Sequence, residues 1–504
     1  MAKKKIVMFH PMPVEDAYFG GLPLALMKTA SMLDRGKFSI HIVKATDKFD
    51  YKKKITTLCK DALCFTVSSM TGYQIENNID VIKRVKKANP KLPIIWGGYH
   101  PSILPEETLA SEWCDMVVIG QGERTFSELC EALASEKSLK GIKGIGYKEK
   151  NGKIVMNESR MFEDMNNFPP IPFDLVNVGE NVYLQEGKRT INYVTSMGCP
   201  FRCGFCAEPM VSKRRWSGLK PETVVKDLEF LVHNYGVEHF VFPDNNFFVD
   251  PERIRGICKM IIERNLNITW SNANGRTKQM LMFDKELWKL IEKSGCRNIL
   301  IGAESGMQEI LDLIHKDASV DDTINLVKVA KRHNIKLTFS LMIGFPREKR
   351  RTKEEILADL RTELKYLLDL IDKCYPERDY YEVFLFVYTP YPGNELFELA
   401  KRDGFVPPKT LEGWAKFETS CNNLPWMPNE FYRTVSQLMD FVFPYAAVDW
   451  KTKHTEKFQL IQKIFHKTAR WRLKNRFFSL PIENMILQQW RKMKSKKQTE
   501  VSNM

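Results

Sequence analysis

The sequence predicts an α/β fold in three parts: an N-terminal doubly wound, Rossmann-like parallel sheet, a partial (β/α)6 barrel, and a helical C-terminal extension. Strand and helix signals alternate in two separate series, which is typical of parallel sheets. A proline-rich stretch, Phe168–Asp174, separates the two series, and the alternation stops after residue 395. The chain of 504 residues is also too long for one core, because cores stop growing at roughly 250–300 residues.

The first series predicts a parallel sheet whose strands are short apolar runs separated by amphipathic helices. The strands are Lys5–Phe9, Phe38–Val43, Ala62–Val67, Leu92–Trp96 and Cys114–Ile119, and the helices cover 21–35 and 73–88 and begin again near Thr125. Ligands of such sheets bind beyond the carboxyl ends of the strands. We assign residues 1–150 to this domain and 151–190 to a proline-rich linker.

The second series predicts six βα units, which form a partial barrel, an open relative of the eight-unit one. Its strands are 191–197, 237–243, 267–273, 297–303, 335–343 and 380–388. One helix begins at Pro221, since proline suits a first helical turn. The chemistry of such a barrel lies at the C-terminal rim of its strands. We assign residues 191–395 to the barrel and 396–504 to a mainly helical, basic region.

The net charge of +14 is concentrated in the C-terminal tail. Residues 451–504 contain 14 Lys or Arg and 3 Asp or Glu, a net charge of +11, which leaves +3 for residues 1–450. Basic residues are interleaved with Trp and Phe in Phe465–Phe478 and Trp490–Lys494. This pattern fits a helix whose aromatic side chains pack on the barrel, a surface that lies on an anionic membrane, or, least of the three, a contact with nucleic acid.

The sequence contains no run of about 18 apolar residues, so no membrane-spanning helix is predicted. The first apolar run, Ile6–Phe9, is too short for a signal peptide. Most of the 11 cysteines stand alone in apolar patterns, as small buried side chains do in a reducing compartment: Cys64, Cys114, Cys258 and Cys296. We therefore expect a cytoplasmic protein, with peripheral contact at a membrane surface through the tail as a further option.

Three cysteines form one dense cluster directly after the first predicted barrel strand. Residues 195–206 read Thr-Ser-Met-Gly-Cys-Pro-Phe-Arg-Cys-Gly-Phe-Cys, which gives Cys199, Cys203 and Cys206 the spacing CxxxCxxC. Thiolates favour zinc or an iron–sulfur cluster. A structural zinc takes four ligands, and no fourth Cys or His follows nearby. Three thiolates on a 4Fe–4S cluster would leave one iron open.

This motif, with an aromatic residue before its last cysteine, resembles that of the radical S-adenosylmethionine (SAM) superfamily. The resemblance implies that Cys199, Cys203 and Cys206 ligate a 4Fe–4S cluster whose open iron binds the amino and carboxylate groups of SAM. It also implies that the reduced cluster splits SAM into methionine and a 5′-deoxyadenosyl radical. A reductant such as flavodoxin or ferredoxin would supply the electron. Zinc or unrelated thiols are the alternative.

The resemblance extends to motifs at the ends of later strands, which imply further contacts with SAM. The residues concerned are Asp244, Asn245, Arg276, Glu304, Ser305 and Gly344. Asp244 and Asn245 offer oxygen acceptors to the SAM amino group, Glu304 accepts from ribose hydroxyls, and Gly344 lies in the stretch near the adenine. The alternatives are a capped turn for the first two, a surface ion pair for Arg276 and a helix-start carboxylate for Glu304. Tyr388–Gly393 resembles the exit of strand six and is expected on the substrate side.

Two stretches of the first domain resemble the cobalamin-binding domains that precede some radical SAM barrels. They place small residues and one methionine at strand ends, and the resemblance implies that these flank a slot for the nucleotide tail of cobalamin: Ser68, Ser69, Met70, Gly97 and Gly98. The Asp-x-His-x-x-Gly motif that supplies a cobalt ligand elsewhere has no counterpart, so neither His10 nor His100 is assigned as a ligand. A vestigial domain without cofactor is the alternative. An NAD-binding domain is disfavoured, because no GxGxxG follows strand one.

These resemblances predict an oxygen-sensitive enzyme that methylates an unactivated carbon of a small-molecule, lipid or tetrapyrrole substrate. With the same cofactors, an oxidative cyclisation or rearrangement without net methyl transfer is the alternative, as in the anaerobic porphyrin-ring cyclases. A hypothesis from another class is a non-catalytic cobalamin or Fe–S sensor whose basic tail binds nucleic acid. No Ser-His-Asp or paired-carboxylate pattern indicates hydrolysis.

Overall fold

The computed structural model describes residues 2–12, 21–46, 50–349, 351–417, 424–447 and 456–478, together with residues 482, 483, 485–487 and 489. It contains a parallel α/β sheet, a second set of parallel strands and a helical C-terminal region, which confirms the predicted fold class.

The first sheet has seven strands. They are β1 (Lys4–His10), β2 (Phe38–Lys44), β3 (Ala62–Ser68), β4 (Ile94–Gly97), β5 (Met116–Val118), β6 (Ile145–Lys148) and β7 (Ile154–Met156). Their order is β2-β1-β3-β4-β5-β6-β7; the first five are parallel, and β6 and β7 pair antiparallel. The five predicted strands are all present, each end lying within two residues of its expected position.

The helices of this unit cover both faces of the sheet. They are α1 (Leu24–Ser31), α2 (Tyr51–Leu58), α3 (Tyr73–Ala88), α4 (Tyr99–Ile103), α5 (Pro105–Ala110) and α6 (Glu123–Ala134). The helix predicted at 73–88 is confirmed at both ends, whereas the one predicted at 21–35 is shorter. It begins after Pro23, which has no N–H to donate within the helix.

The first sheet extends past residue 150, the predicted end of the first domain, because β7 pairs with β6 inside it. This strand has only three residues, all of them half-buried, and it follows a turn of polar residues. The linker that the sequence places at 151–190 therefore contributes a strand to this sheet, and also a short helix, α7 (Val178–Asn181).

The second unit contains six parallel barrel strands, one of which is divided in two, together with short antiparallel strands. Its strands are β8 (Tyr183–Gln185), β9 (Lys188–Asn192), β10 (Ser196–Gly198), β11 (Trp216–Gly218), β12 (His239–Val241), β13 (Thr269–Ser271), β14 (Ala273–Gly275), β15 (Asn298–Glu304), β16 (Lys336–Ile343) and β17 (Tyr381–Val387). Two ladders run β8-β9-β12-β13 and β14-β15-β16-β17. A kink at Asn272, whose φ is +56°, divides the third barrel strand into β13 and β14. Where the two ladders meet, the Arg297 N–H donates to the Trp270 carbonyl at 2.9 Å.

The first barrel strand ends earlier than predicted. It spans β9 only, and Ser196–Gly198 turns away to pair antiparallel with β11. The cause is Asp244, which accepts a hydrogen bond from the Thr195 backbone N–H at 3.1 Å in place of a strand partner. The strand signal of residues 191–197 gives no sign of this side-chain bond.

The remaining helices surround the barrel and form the C-terminal region. Those of the barrel are α8 (Glu208–Ser212), α9 (Pro221–Tyr235), α10 (Pro251–Glu263), α11 (Thr277–Leu281), α12 (Lys285–Lys293), α13 (Gln308–Leu313), α14 (Val320–Arg332) and α15 (Lys353–Cys374). Those that follow are α16 (Glu395–Arg402), α17 (Leu411–Ala415), α18 (Asn429–Gln437), α19 (Phe443–Ala447) and α20 (Glu456–Asn475). A π-helical turn, Leu438–Val442, joins α18 to α19, and both pack against β17.

One apolar cluster extends from the first sheet into the barrel without interruption. Met27 on α1 and Ile95 on β4 belong to it, and so does Phe240 on β12; all three are fully buried. Burial of this size fixes how the two units meet, because each buried large apolar side chain contributes roughly 1.5–3 kcal/mol. The predicted buried cysteines Cys64, Cys114, Cys258 and Cys296 are confirmed as buried free thiols.

The described part of the basic tail packs on the barrel. Arg470 lies 3.9 Å above the Tyr375 ring, and Arg476 pairs with Asp369 at 2.9 Å. These contacts favour the packed helix for this segment, although the side chain of Trp471 remains 53% exposed. The second aromatic and basic stretch, Trp490–Lys494, lies outside the described residues. None of the described helices combines the length and the apolar character needed to cross a bilayer.

Gly98 provides a test of the turn that follows β4. Its φ of +97° and ψ of −164° lie in a region that is essentially restricted to glycine, and an added Cβ would lie 2.8 Å from the Ser69 carbonyl oxygen. We expect Gly98→Ala to lower the free energy of unfolding by about 1–3 kcal/mol, as measured by urea denaturation. Gly97→Ala is the matched control, because its Cβ would have no neighbour closer than 4.0 Å. Equal destabilisation by both changes would contradict the assigned turn.

Candidate functional site

A cavity of about 280 Å³ lies between the carboxyl ends of the first sheet and the barrel. All five residues predicted for cobalamin line it, from the Ser68–Met70 segment and the Gly97–Gly98 pair. Asp244 and Asn245, predicted for SAM, line the opposite side. The sequence predicts two separate sites, and in the structure both sets of residues line the same cavity.

The first-domain wall of the cavity is made by two backbone turns that hold each other. The Ser69 N–H donates to the Gly97 carbonyl at 2.9 Å, and the His100 N–H donates to the Ser69 carbonyl at 3.0 Å. The close approach requires Gly98, since a side chain there would meet both Ser69 and the Ser68 hydroxyl. Small residues on both turns leave a slot, so this wall fits a ligand that needs close backbone contact.

Neither histidine considered in the first domain lines the cavity. Burial lowers the pKa of His100 to about 4, and its Nδ1 lies 3.0 Å from the Thr71 hydroxyl. Burial also lowers the pKa of His10 to about 4. That neither histidine ligates cobalt stays a prediction.

The cysteine loop forms part of the barrel mouth and is anchored by backbone bonds. Cys199, Cys203 and Cys206 are half-buried free thiols. The Gly204 N–H donates to the Ile314 carbonyl at 3.0 Å, and the Cys206 N–H donates to the Cys203 carbonyl at 3.1 Å. The first bond ties the loop to the end of α13, and the second fixes the conformation of the loop itself.

The surroundings of the sulfurs contain hydrogen-bond donors that favour thiolates. Burial, helped by the neighbouring Cys203 and Cys199, raises the pKa of the Cys206 thiol to about 12. The Glu208 N–H donates to the Cys206 Sγ at 3.5 Å, which lowers the pKa of that thiol. The Arg276 guanidinium donates to the Cys203 Sγ at 2.8 Å. Donors aimed at sulfur are characteristic of iron–sulfur sites, whose potentials they tune.

Across the described part of the chain, no three His, Cys, Asp or Glu side chains surround a common point as ligands of one metal ion do. The three thiols therefore do not form a preassembled zinc site. A multi-iron cluster distributes its thiolates over different irons, and three cysteines spaced along one anchored loop fit that donor set.

Asp244 is 1% exposed, and its carboxylate is engaged in hydrogen bonds. Its carboxylate accepts from the Thr195 hydroxyl at 2.7 Å and from the Ser196 hydroxyl at 2.5 Å, in addition to the Thr195 N–H. Burial raises the pKa of Asp244. The capped-turn alternative is wrong for Asp244, because these bonds hold the chain just before the cysteine loop, while Asp250 caps the next helix. A contact between Asp244 and the SAM amino group stays a prediction.

Arg276 is buried, and its guanidinium also lies 3.9 Å from the carboxylate of the exposed Asp317, so the ion-pair alternative stays open. Arg276 is 8% exposed, and its guanidinium lies 4.0 Å above the Phe201 ring, in addition to its bond to Cys203. It also donates to the Lys316 carbonyl. Arg276 thus lies directly beside the loop that holds the predicted cluster, which is where a SAM carboxylate would be expected.

Glu304 forms a buried ion pair that sequence reasoning missed. The Lys316 Nζ lies 2.6 Å from its Oε1, and each side chain is 6% exposed. Glu304 ends β15 with a φ of +60° and begins no helix, so the helix-start alternative is wrong. Ser305 follows it, and its hydroxyl accepts from the Met307 N–H at 3.1 Å.

Gly344 lies away from the cavity lining and is held on both sides. Its N–H donates to Glu363 at 2.8 Å, and its carbonyl accepts from the Trp426 indole at 3.1 Å. The backbone groups of Gly344 are therefore engaged by α15 and by the C-terminal region. Its predicted proximity to the SAM adenine remains a prediction.

Two further cavity residues escaped the sequence reasoning, Tyr99 and Glu208. The Tyr99 hydroxyl donates to the Glu208 carboxylate and accepts from the Asn245 amide at 2.8 Å. Burial raises the pKa of Glu208, which is 6% exposed. The only available signals are the position of Tyr99 directly after the two glycines and that of Glu208 two residues after the last cysteine.

Comparisons with known proteins agree with this geometry. Residues 193–360 match the radical SAM superfamily, and residues 20–130 match the B12 binding domain. An uncharacterized methyltransferase of Pyrococcus horikoshii is 31% identical over 430 residues, which cover 83% of this chain and 87% of that protein. An anaerobic magnesium-protoporphyrin IX monomethyl ester cyclase of Rubrivivax gelatinosus is 25% identical over 355 residues, which cover 69% of this chain and 60% of that protein.

A solved structure has the same overall fold. It is that of the cobalamin-dependent S-adenosylmethionine radical enzyme OxsB with aqua-cobalamin and S-adenosylmethionine bound. The TM-score is 0.73 at 16% identity, over 98% of this chain and 75% of that one. At this identity the likeness concerns the fold, and it includes both units and the helical region.

The buried pair of Glu304 and Lys316 provides a test of the barrel mouth. Lys316→Met leaves a buried carboxylate without its partner, and we expect the free energy of unfolding to fall by about 3–5 kcal/mol. The matched control is Lys401→Met, which removes the exposed pair with Glu398 and should cost less than about 1 kcal/mol. Urea denaturation measures both, and a loss for Lys316→Met no larger than that of the control would show that the pair is not buried.

Proposed function

Because this chain belongs to the radical SAM superfamily and carries a B12-binding domain, we propose that it uses a 4Fe–4S cluster, SAM and cobalamin to methylate an unactivated carbon. The observation that carries the proposal is the shared cavity, onto which both the first-domain slot and the residues beside the cysteine loop open. Groups that act on one substrate must be held together around it. Met197 and Glu208, which flank the cysteine loop, line this cavity, whereas the three cysteines and Arg276 lie behind its lining.

Separate sets of residues would hold the three groups. Cys199, Cys203 and Cys206 would ligate the cluster, Asn245 and Arg276 would contact SAM, and the two turns at Ser68–Met70 and Gly97–Gly98 would flank the cobalamin tail. When bound, these groups supply the one-electron chemistry and the methyl group, so the difficult bond chemistry belongs to them.

The chain itself orients the groups and excludes water. Apolar side chains make up much of the cavity wall, including Met8, Leu26 and Phe126, which are buried. Thr195 and Ser196 are locked by Asp244, so the loop that follows them is held at a fixed place at the mouth. Such a preorganised and mostly dry space protects reactive species from water and oxygen.

The apolar wall supports a lipid or tetrapyrrole substrate over a highly charged one. The similarity to a protoporphyrin ester cyclase also supports a second candidate reaction, oxidative cyclisation without net methyl transfer. Exposed Ile464 and Trp471 on α20 would suit peripheral contact with a membrane that stores such substrates.

The reductant would approach the outer side of the cysteine loop. Arg202 lies within the loop, and Arg214 and Arg215 lie close to it, since the Arg215 carbonyl packs against Gly198; all three are exposed. A basic rim of this kind favours an acidic electron carrier such as flavodoxin or ferredoxin through charge complementarity.

The first test of this function concerns the cysteines. We expect Cys199→Ala, Cys203→Ala and Cys206→Ala to lose the bound iron of the anaerobically reconstituted protein and to abolish 5′-deoxyadenosine release. Cys258→Ala is the control, since that thiol is buried in the core beside Ser294 and should leave the iron content unchanged. Iron and sulfide assays with chromatography of the nucleoside measure the result. Unchanged iron in all three variants would refute the proposal.

The second test separates methylation from cyclisation. The cobalamin-loaded protein is incubated with a reductant, SAM labelled in its methyl group, and lipid or tetrapyrrole extracts. We expect the label in a product, as detected by mass spectrometry. Deoxyadenosine release together with an altered but unlabelled product would instead establish the cyclisation or rearrangement.

A further inference from the structure

Tyr99, Glu208 and Asn245 form one hydrogen-bonded group at the cavity, here called the Tyr99 node. Tyr99 begins α4 directly after Gly98, Glu208 begins α8 directly after the cysteine loop, and Asn245 follows β12. The Tyr99 hydroxyl donates to Glu208 and accepts from Asn245 at 2.8 Å. The node therefore joins the wall of the first-domain slot to two elements of the barrel mouth.

The two hydrogen bonds of the node connect the two units. They link residues 2–150 to residues 191–395 through side chains. All three residues line the cavity, so a ligand in the slot lies directly beside the connection.

On the first-domain side, the node follows a stiff turn. The His100 N–H donates to the Ser69 carbonyl at 3.0 Å, and the Ser102 hydroxyl donates to the Gly98 carbonyl at 2.6 Å. That same hydroxyl accepts from the Gly120 N–H at 2.8 Å. A displacement of the Ser68–Met70 segment therefore displaces Tyr99 as well, because hydrogen bonds to the backbone of Gly98 and His100 hold the chain on both sides of the tyrosine.

On the barrel side, Glu208 of the node is hydrogen-bonded to Cys206, a predicted cluster ligand. The Glu208 N–H donates to the Cys206 Sγ at 3.5 Å, so the residue that holds Tyr99 through its carboxylate also holds a ligand sulfur through its backbone. The Glu208 carbonyl accepts from the Ser212 hydroxyl at 3.1 Å, which fixes the first turn of α8. Hydrogen bonds to ligand sulfurs alter the electronic properties of an iron–sulfur cluster.

We propose that Tyr99 and Glu208 are positioning residues that couple the occupancy of the first-domain slot to the binding of SAM at the cysteine loop. This inference rests on the proposed function, because it needs both cofactor sites. A filled slot fixes Tyr99, Tyr99 fixes Glu208, and Glu208 fixes the donor at Cys206, so that cobalamin tightens the binding of SAM. The coupling is reciprocal, and SAM tightens the binding of cobalamin by the same factor.

The test measures binding rather than turnover. The anaerobically reconstituted protein is kept with its cluster oxidised, so that SAM is not cleaved, and equilibrium dialysis of radiolabelled SAM, with and without saturating hydroxocobalamin, gives the dissociation constant of SAM. We expect cobalamin to lower this constant at least about fivefold in the unchanged protein, which is the low end of typical coupling between sites. In Tyr99→Phe the constants with and without cobalamin should agree within about twofold, because the ring remains and only the connecting hydroxyl is lost.

Two further changes separate coupling from a general loss of structure. Tyr51→Phe is the matched control, since its hydroxyl accepts from Asn77 at 3.4 Å within the first domain, away from the cavity lining, and this variant should keep the full cobalamin effect. Glu208→Gln keeps an oxygen acceptor for Tyr99 and the backbone donor to Cys206, so it should retain most of the effect. Glu208→Ala keeps only the backbone donor and should lose it.

The outcomes distinguish this inference from the proposed function. A protein that forms no cluster, or binds no cobalamin as judged by absorption, overturns both. A protein that binds both, yet shows the same SAM constant with and without cobalamin, overturns the coupling alone. The coupling is also overturned if both Tyr99→Phe and Glu208→Ala keep the full effect of cobalamin on the dissociation constant of SAM, whatever the stability of the two variants.

Discussion

The packing of the first sheet and α1 against the barrel is the interaction on which the site depends. Met27, Ile95 and Phe240 belong to one apolar cluster that crosses between the two units, and this burial determines where the two sets of strand ends face each other. Parallel strands release their loops at the carboxyl edge, so packing two such sheets together produces a cavity enclosed by loops from both. The polar residues of the site lie on those loops, and the apolar cluster lies behind them.

Local hydrogen bonds then fix the cysteine loop within that frame. Asp244 uses its carboxylate to hold Thr195 and Ser196, and Arg253 donates to the Thr195 carbonyl at 2.9 Å from the other side. Both charged groups are buried, and burial raises the pKa of Asp244 and lowers that of Arg253. Buried charges are tolerated only when they are well paired and hydrogen-bonded, which explains why so many donors converge on this short segment.

Much of the fold and the three cysteines could be predicted from the sequence, because strand periodicity and the CxxxCxxC spacing are local patterns. What could not be predicted depends on pairs that are distant along the chain. The Tyr99–Glu208 bond joins residues 109 positions apart, and the partner of Glu304 is identified only once the loop that carries Lys316 folds back onto β15. The early end of β9 has the same origin, since a side chain from the end of β12 replaces a strand partner of Thr195. The residue types along the sequence indicate which side chains can bind a cofactor or form an ion pair. Which of these side chains contact one another depends on the packing of distant segments.

The flanks of the second sheet carry a further consequence. An open barrel has two outer strands with unpaired backbone groups, which invite association with other chains. Here the short antiparallel strand β8 borders one flank, and α18 and α19 pack against β17 at the other, where the Leu385 N–H meets the Met439 sulfur at 2.7 Å. The helical extension thus shields a strand that would otherwise be free to recruit a neighbour. A chain shortened before α18 would lose this protection and be prone to aggregate even with its cofactor-binding residues intact.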